Sequence, residues 1–329
     1  MKASIKLIEY YLPEKIVNNS QLEKEFPGWS AREIEKKVGI RERHVTGESE
    51  TALDLAVNAC RKILNNYEKG KIDFVLLCTQ SPDYCLPSSA CILQDRLGLR
   101  KDIGALDYNL GCSGFVYGLA LSKGLIHSGI ACSVLLVMAE TYTKHIHPSD
   151  ISNRTIFGDG AVATIIEASE ENKIFNFSLG TDGSGSKNLI VPNSGARKNT
   201  SGSPNVDTGG SGRENNLYMN GPEIFNFTIE AVPRLVEDTL SKNDMTIEKI
   251  DYVIFHQANK LMIDYLRKKI QISESKFYSN IMMTGNIVSG TIPLALKDSL
   301  DKGIVKPGDT VLLVGFGVGY SWAGTIIRV

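Results

Sequence analysis

No Cys-x-x-Cys pair occurs in the chain, and none of its six cysteines lies beyond Cys132. Zinc-ribbon spacing is therefore absent. No apolar run approaches the roughly 18 residues that a membrane-spanning helix needs. The opening Met1-Lys2-Ala3-Ser4 leads straight into strand-like residues and lacks the pattern of a secretory signal. A reduced, cytoplasmic protein is the expectation. Neither sign of charge is in excess: the formal net charge is −1, so nothing global calls for nucleic acid or an anionic membrane as partner.

What is present is ordinary for a soluble globular protein, with 42% hydrophobic and 22% charged residues in 329. That length accommodates two structural units of about 150 residues. The sequence also repeats itself. Lys71-Ile-Asp-Phe-Val-Leu-Leu-Cys78 recurs as Lys249-Ile-Asp-Tyr-Val-Ile-Phe-His256, 178 positions on. Ser133-Val-Leu-Leu-Val137 recurs as Thr310-Val-Leu-Leu-Val314, 177 positions on. A fainter match pairs Asn109–Gly114, with Leu119-Ala120-Leu121 after it, and Asn286–Gly290, with Leu294-Ala295-Leu296 after it. Two homologous halves, 1–170 and 171–329, account for this order.

Within each half, apolar β-branched runs alternate with amphipathic stretches, the signature of α/β layers. Ala52–Leu64 has helical spacing, with Leu53, Val57, Cys60 and Leu64 on one face. Ser133–Met138 reads as a strand buried on both faces. Residues 180–216 are rich in Gly, Ser, Asn and Pro, which fits a surface loop or a flap beside a site.

Cys112 sits in the turn Gly111-Cys112-Ser113-Gly114, after a strand-like stretch and before a helix expected over about 116–126. The start of a helix favours a thiolate there. The alternative is an inert buried cysteine. His256 follows an apolar strand, where open α/β sheets place ligands; a structural histidine is the alternative. Asn286 lies in Thr284-Gly285-Asn286, a turn or cap by itself, but the duplication makes its loop the counterpart of the Cys112 loop. Gly315-Phe316-Gly317-Val318-Gly319 follows a strand, yet only seven residues follow Trp322, too few for the helix of a nucleotide loop. Backbone N–H groups aimed at an oxyanion fit that segment better. Phe157-Gly158-Asp159-Gly160-Ala161 reads as a structural turn before a strand over 162–166.

Taken together, the ordered motifs resemble β-ketoacyl-acyl-carrier-protein synthase III, of the thiolase superfamily, along essentially the whole chain. They are Gly39-Ile-Arg-Glu-Arg-His44, the Gly-Cys-Ser-Gly turn, Phe157–Ala161, His256-Gln-Ala-Asn259, Gly285-Asn286 with Pro293, and Gly315–Trp322. The resemblance implies an α/β thiolase-like fold of five layers, αβαβα, with two duplicated halves, and a homodimer. It implies a Cys112–His256–Asn286 triad and an oxyanion hole from the N–H groups of Cys112 and of the Gly317–Val318 turn. It implies acyl-CoA and malonyl-acyl-carrier-protein as partners, decarboxylative condensation as reaction, and neither metal nor other cofactor. Lys37, Leu86, Phe316 and Asn259 become candidate substrate contacts, with Leu86 reaching across the dimer.

Several positions depart from the better-known members. Glu33 stands where a tryptophan stacks on the coenzyme A adenine, with Trp29 a few residues before it. Ile151 and Leu261 replace arginines, Leu86 replaces a phenylalanine, and Val318 replaces a glycine. An unusual primer is one consequence. Acyl transfer to oxygen, nitrogen or sulfur through the same acyl-cysteine is an alternative, and a non-catalytic partner of a condensing enzyme is a third. A biosynthetic thiolase wants a late cysteine, and a synthase of the hydroxymethylglutaryl type wants a glutamate where the loop 79–90 offers only Asp83.

Overall fold

The computed structural model describes residues 2–198 and 213–329. Part of the glycine- and serine-rich stretch, 199–212, lies outside the described residues. The first large sheet runs in the order Lys2–Tyr11, Gly160–Ser169, Ser133–Glu140, Phe74–Cys78, Gly104–Tyr108. The second runs Tyr252–Phe255, Thr310–Gly317, Ser321–Arg328, Ile174–Thr181. Every strand of the first sheet lies before residue 170 and every strand of the second after it.

The repeated segments occupy equivalent places. Phe74–Cys78 pairs in parallel with Ser133–Glu140, as Tyr252–Phe255 does with Thr310–Gly317. The partner across Phe74–Cys78, Gly104–Tyr108, has as its counterpart a single parallel bridge between Val253 and Phe277. Both central strands are buried along their full length. Their uninterrupted apolar runs reflect helices on both faces.

Two helices fill the space between the sheets, Gly114–His127 and Thr291–Asp301, each touching strands of both sheets. Helices Ala52–Leu64 and Ser89–Arg96 cover the outer face of the first sheet; Gly221–Ser241 covers that of the second, with Lys260–Lys269 packed against it. The five layers are therefore αβαβα, with one apolar core under each outer helical layer and a third around the central helices, shared by both sheets. Ala52–Leu64 starts where Thr51 and Asp54 cap each other reciprocally. Its Leu53, Val57 and Cys60 are buried, as the spacing predicts, while Leu64 is half-buried; burying Leu53 and Val57 stabilises the layer by about 1.5–3 kcal/mol each.

The helix after Cys112 begins at Gly114, two residues earlier than expected, because Gly114 N–H already bonds Gly111 C=O at 2.8 Å. The stretch 180–198 is not featureless: it holds two short 3₁₀ turns and the strand Leu189–Ile190, which pairs with Tyr218–Met219. Among the described residues no helix is long and apolar enough to cross a membrane.

Candidate active site

Three loops meet where the two halves join. Cys112 stands on the turn between strand Gly104–Tyr108 and the first central helix. Three contacts fix that turn: Tyr108 O–H donates to Gly114 C=O (2.9 Å), Cys78 S–H to Leu110 C=O (2.9 Å), and the Ser113 and Ser321 hydroxyls meet at 2.7 Å. The last of these ties the Cys112 turn of one half to the second sheet of the other. Cys78, the counterpart of His256 in the repeat, thus supports the turn from beneath.

Glycine is required on the facing strand. A Cβ on Gly317 would lie 2.6 Å from Cys112 Sγ, and one on Gly315 would lie 2.8 Å from Ser113 Cα. The backbone of the strand therefore approaches the thiol directly. The N–H of Val318 and that of Cys112 itself both point at the sulfur. Gly317 leaves the space in which its turn with Val318 approaches the sulfur.

His256 follows strand Tyr252–Phe255, and its N–H bonds Val314 C=O at 2.7 Å. Its Nδ1 is 2.8 Å from the Thr291 hydroxyl and also faces Val288 C=O. Thr291 Oγ1 donates to Val288 C=O (3.0 Å) and accepts from Gln257 N–H (3.3 Å). A carbonyl can only accept, so Nδ1 carries the proton and Nε2 keeps a lone pair toward the site. Asn286 Oδ1 accepts Val288 N–H at 2.8 Å, which turns Nδ2 toward His256 Nε2, 3.5 Å away. Val288 adopts φ +55°, a strained conformation for a β-branched residue, and this bond to Asn286 helps to hold it.

Burial dominates the electrostatics. It pushes the Cys112 thiol up to about 12 against the pull of the two N–H groups, and lowers the imidazole of His256 to about 3. Desolvation thus opposes the pull that the helix start exerts on the Cys112 thiol, and it disfavours charge on both side chains.

Cys112, His256, Asn286, Phe316 and Gly317 line one cavity of about 530 Å³. The rest of its wall is mainly apolar and includes Leu189, Ile224, Phe225 and Met262. The Phe316 ring meets the His256 ring edge-on at 5.7 Å. Lys37, Val38, Ile156, Met219 and Gly221 also line a second cavity of about 720 Å³, the mouth of the first, where Trp29 and Arg213 stand. Lys37 Nζ lies over the Trp29 ring at 4.2 Å, so Trp29 is at the mouth while Glu33 is turned outward to cap its own helix with Ser30. Asn259 lines the tunnel but spends its side-chain oxygen capping helix Lys260–Lys269. Ile151 packs into the core, and Leu261 lies at the tunnel, 56% exposed.

Leu86 does not reach the site of its own chain; it is 82% exposed at a loop tip. Asp159 accepts from Thr46 N–H and O–H, both 2.8 Å, and from Thr143 N–H, 2.9 Å, the structural role read from its turn. Among the described residues no group of three His, Cys, Asp or Glu is placed to hold a metal. Thr291, Arg213 and most of the tunnel wall were not among the expected site residues. The hydroxyl at the first turn of a helix beside Asn286 was the one available signal for Thr291.

Two family models match the chain: 3-oxoacyl-[acyl-carrier-protein] synthase III over residues 106–183 and its C-terminal counterpart over residues 240–329. Beta-ketoacyl-[acyl-carrier-protein] synthase III of Campylobacter curvus is 37% identical over 100% of this chain and 97% of its own. That of Clostridium perfringens is 38% identical over 97% of this chain and 96% of its own. A crystal structure of 3-oxoacyl-(acyl-carrier-protein) synthase III superposes with a TM-score of 0.95 and 45% identity, covering all of both chains. The chain belongs to the 3-oxoacyl-[acyl-carrier-protein] synthase III family.

Proposed function

We propose that the chain condenses an acyl group, delivered as its coenzyme A thioester, with malonyl-acyl-carrier-protein, through an acyl thioester on Cys112. The observation that carries this reading is the convergence of Cys112, His256 and Asn286, from three loops, on one end of an apolar tunnel.

Attack starts from a neutral pair. His256 Nε2 takes the Cys112 proton as sulfur bonds to the thioester carbon. The N–H groups of Cys112 and Val318 receive the oxyanion. The coenzyme leaves as thiolate and takes its proton from solvent, while Nε2 keeps the proton it gained. The malonyl thioester then enters, and its carbonyl oxygen accepts from Nε2–H and from Asn286 Nδ2–H. Its carboxylate offsets the cost of the buried imidazolium. Loss of CO2 leaves an enolate held by the two donors. That carbon attacks the acyl carbon, and Cys112 departs as thiolate and recovers the proton from Nε2. Protons balance over the cycle, with one taken from solvent.

Lys37 and Trp29 serve the mouth, Phe316 and Asn259 the tunnel. Residues 1–170 supply the nucleophile half and 171–329 the half bearing His256 and Asn286. Strand Gly104–Tyr108 is a sheet edge with Leu106 49% exposed, and Tyr84 (61%) and Leu86 are further exposed apolar side chains. An unpaired apolar edge of this kind supports a homodimer that carries Leu86 toward the partner's site. The proposed place of action is the cytoplasm.

Mixing acylated enzyme with malonyl-acyl-carrier-protein tests the reaction. One CO2 released for each acyl group lost from Cys112 supports condensation; acyl loss without CO2 favours transfer to another acceptor.

A further inference from the structure

A separate cavity of about 580 Å³ opens beside the N-terminal part of the chain. Lys15, Lys24, Arg43 and Arg154 line it, with Glu25 as the one acidic lining residue. Four cations against one carboxylate leave a lining charge of +3. Glu25 is already committed to Arg154 at 2.6 Å. Among the described residues no carboxylate forms an ion pair with Lys15, Lys24 or Arg43.

Arg43 is 1% exposed. Its Nη atoms donate to Val17 C=O, Asn19 Oδ1 and Thr155 C=O, at 3.2, 2.8 and 2.7 Å. Its Nε has no partner. A guanidinium held by neutral oxygens alone keeps its full charge, and burying an uncompensated charge is costly. Burial first, and then the neighbouring Arg154, lower Arg43 to about 10, with Glu42 offsetting part of the shift.

We propose that this cavity binds a small phosphorylated anion as an effector. Arginine forks and lysine ammonium groups suit phosphate oxygens, and Gln21 adds a neutral polar group to the lining. The site is distinct from the mouth of the thioester tunnel, with which it shares no lining residue. It touches the tunnel itself through one wall, Phe157. That residue sits in a segment bonded to the Asn286 loop: Asn286 N–H donates to Ile156 C=O (2.9 Å) and Gly158 N–H to Asn286 C=O (3.0 Å). Arg43 backs directly onto the same loop, since a Cβ on Gly285 would lie 2.9 Å from Arg43 Cβ. An anion held by Lys15, Lys24 and Arg154, with the buried Arg43 behind them, therefore acts on the placement of Asn286 and on decarboxylation, rather than on acylation of Cys112.

Calorimetric titration of the intact protein with inorganic pyrophosphate at fixed ionic strength is the test. The expected result is one site per chain, indifferent to saturating coenzyme A, and weakened by about tenfold or more in the double variant Lys15→Ala/Lys24→Ala. Both lysines lie at the cavity rim, so the fold tolerates their loss better than that of Arg43. Pyrophosphate should alter malonyl-dependent CO2 release by the wild type but not by the double variant, and leave Cys112 acylation unchanged in both. No binding, equal binding by both proteins, or displacement by coenzyme A overturns the site. Binding without any change in CO2 release overturns the effector role. The binding arm stands apart from the condensation chemistry, so either reading can fail alone.

Discussion

Gly317→Ala places a methyl group where the structure has room for none. Its carbon would lie 2.6 Å from Cys112 Sγ and 2.8 Å from Cys112 Cβ, with no other heavy atom within 4 Å. Non-bonded carbon contacts settle near 3.5–4.0 Å, so the thiol must move by about 1 Å. Overpacking of this kind costs about 1–3 kcal/mol in stability. A displacement of about 1 Å at a reacting atom costs on the order of 100-fold in rate. The assay is the rate of acyl mass gain on Cys112 after mixing with an acyl-CoA, read beside thermal unfolding. Gly324→Ala is the matched control: its Cβ would meet Thr239 Oγ1 at 2.3 Å, in the outer layer of the second half. Gly324→Ala should lose stability yet acylate like the wild type, and Gly317→Ala should lose both. Acylation by Gly317→Ala within about threefold of wild type would refute the close approach of strand and nucleophile.

Asn286→Ala should lower CO2 release from malonyl-acyl-carrier-protein by about 100- to 1000-fold while Cys112 still acylates, because the proposed role of Asn286 is to hold the enolate alone; stopped assays of the two half-reactions separate these. With the thiol pushed up to about 12, alkylation of Cys112 by iodoacetamide should keep rising from pH 7 to pH 10, and a plateau with a midpoint below 7 would point to a resting ion pair instead. Burial pushes Glu140 up to about 8, against 4.5 for the free carboxyl. Between those values the folded state holds the extra proton, so stability should fall as pH rises from about 4.5 to 8, and Glu140→Gln should flatten that slope in thermal unfolding. Trp29→Ala should raise KM for acyl-CoA by about tenfold with kcat unchanged, because it removes a stacking surface at the mouth and nothing at the thiol.

The layered fold was legible because the duplication is written in the strands. Buried parallel strands tolerate few residue types, so Phe74–Cys78 and Tyr252–Phe255 still look alike, and their equal spacing from Ser133–Glu140 and Thr310–Gly317 carries the topology. The site loops were legible for a different reason: backbone approach at Gly317 and the turn at Gly111–Gly114 demand particular residues. What stayed hidden depends on three-dimensional neighbours. Thr291 looks like any helix-start threonine until Val288 C=O and His256 Nδ1 are seen around it. The helix end beside Cys112 is visible in sequence, whereas the burial that opposes it is not. Trp29 reaches the mouth only because the turn before helix Ala31–Val38 folds it over Lys37.

The most direct test of the central claim follows one acyl group through both half-reactions. Protein acylated on Cys112 with a labelled acyl-CoA is mixed with malonyl-acyl-carrier-protein, and intact masses of enzyme and carrier are read together with CO2. The account predicts that the label leaves Cys112, that one CO2 appears for each label lost, and that the carrier gains the mass of a 3-oxoacyl chain. Label on the carrier as the unextended acyl group, or no label on the enzyme carrying an intact Cys112, would contradict it.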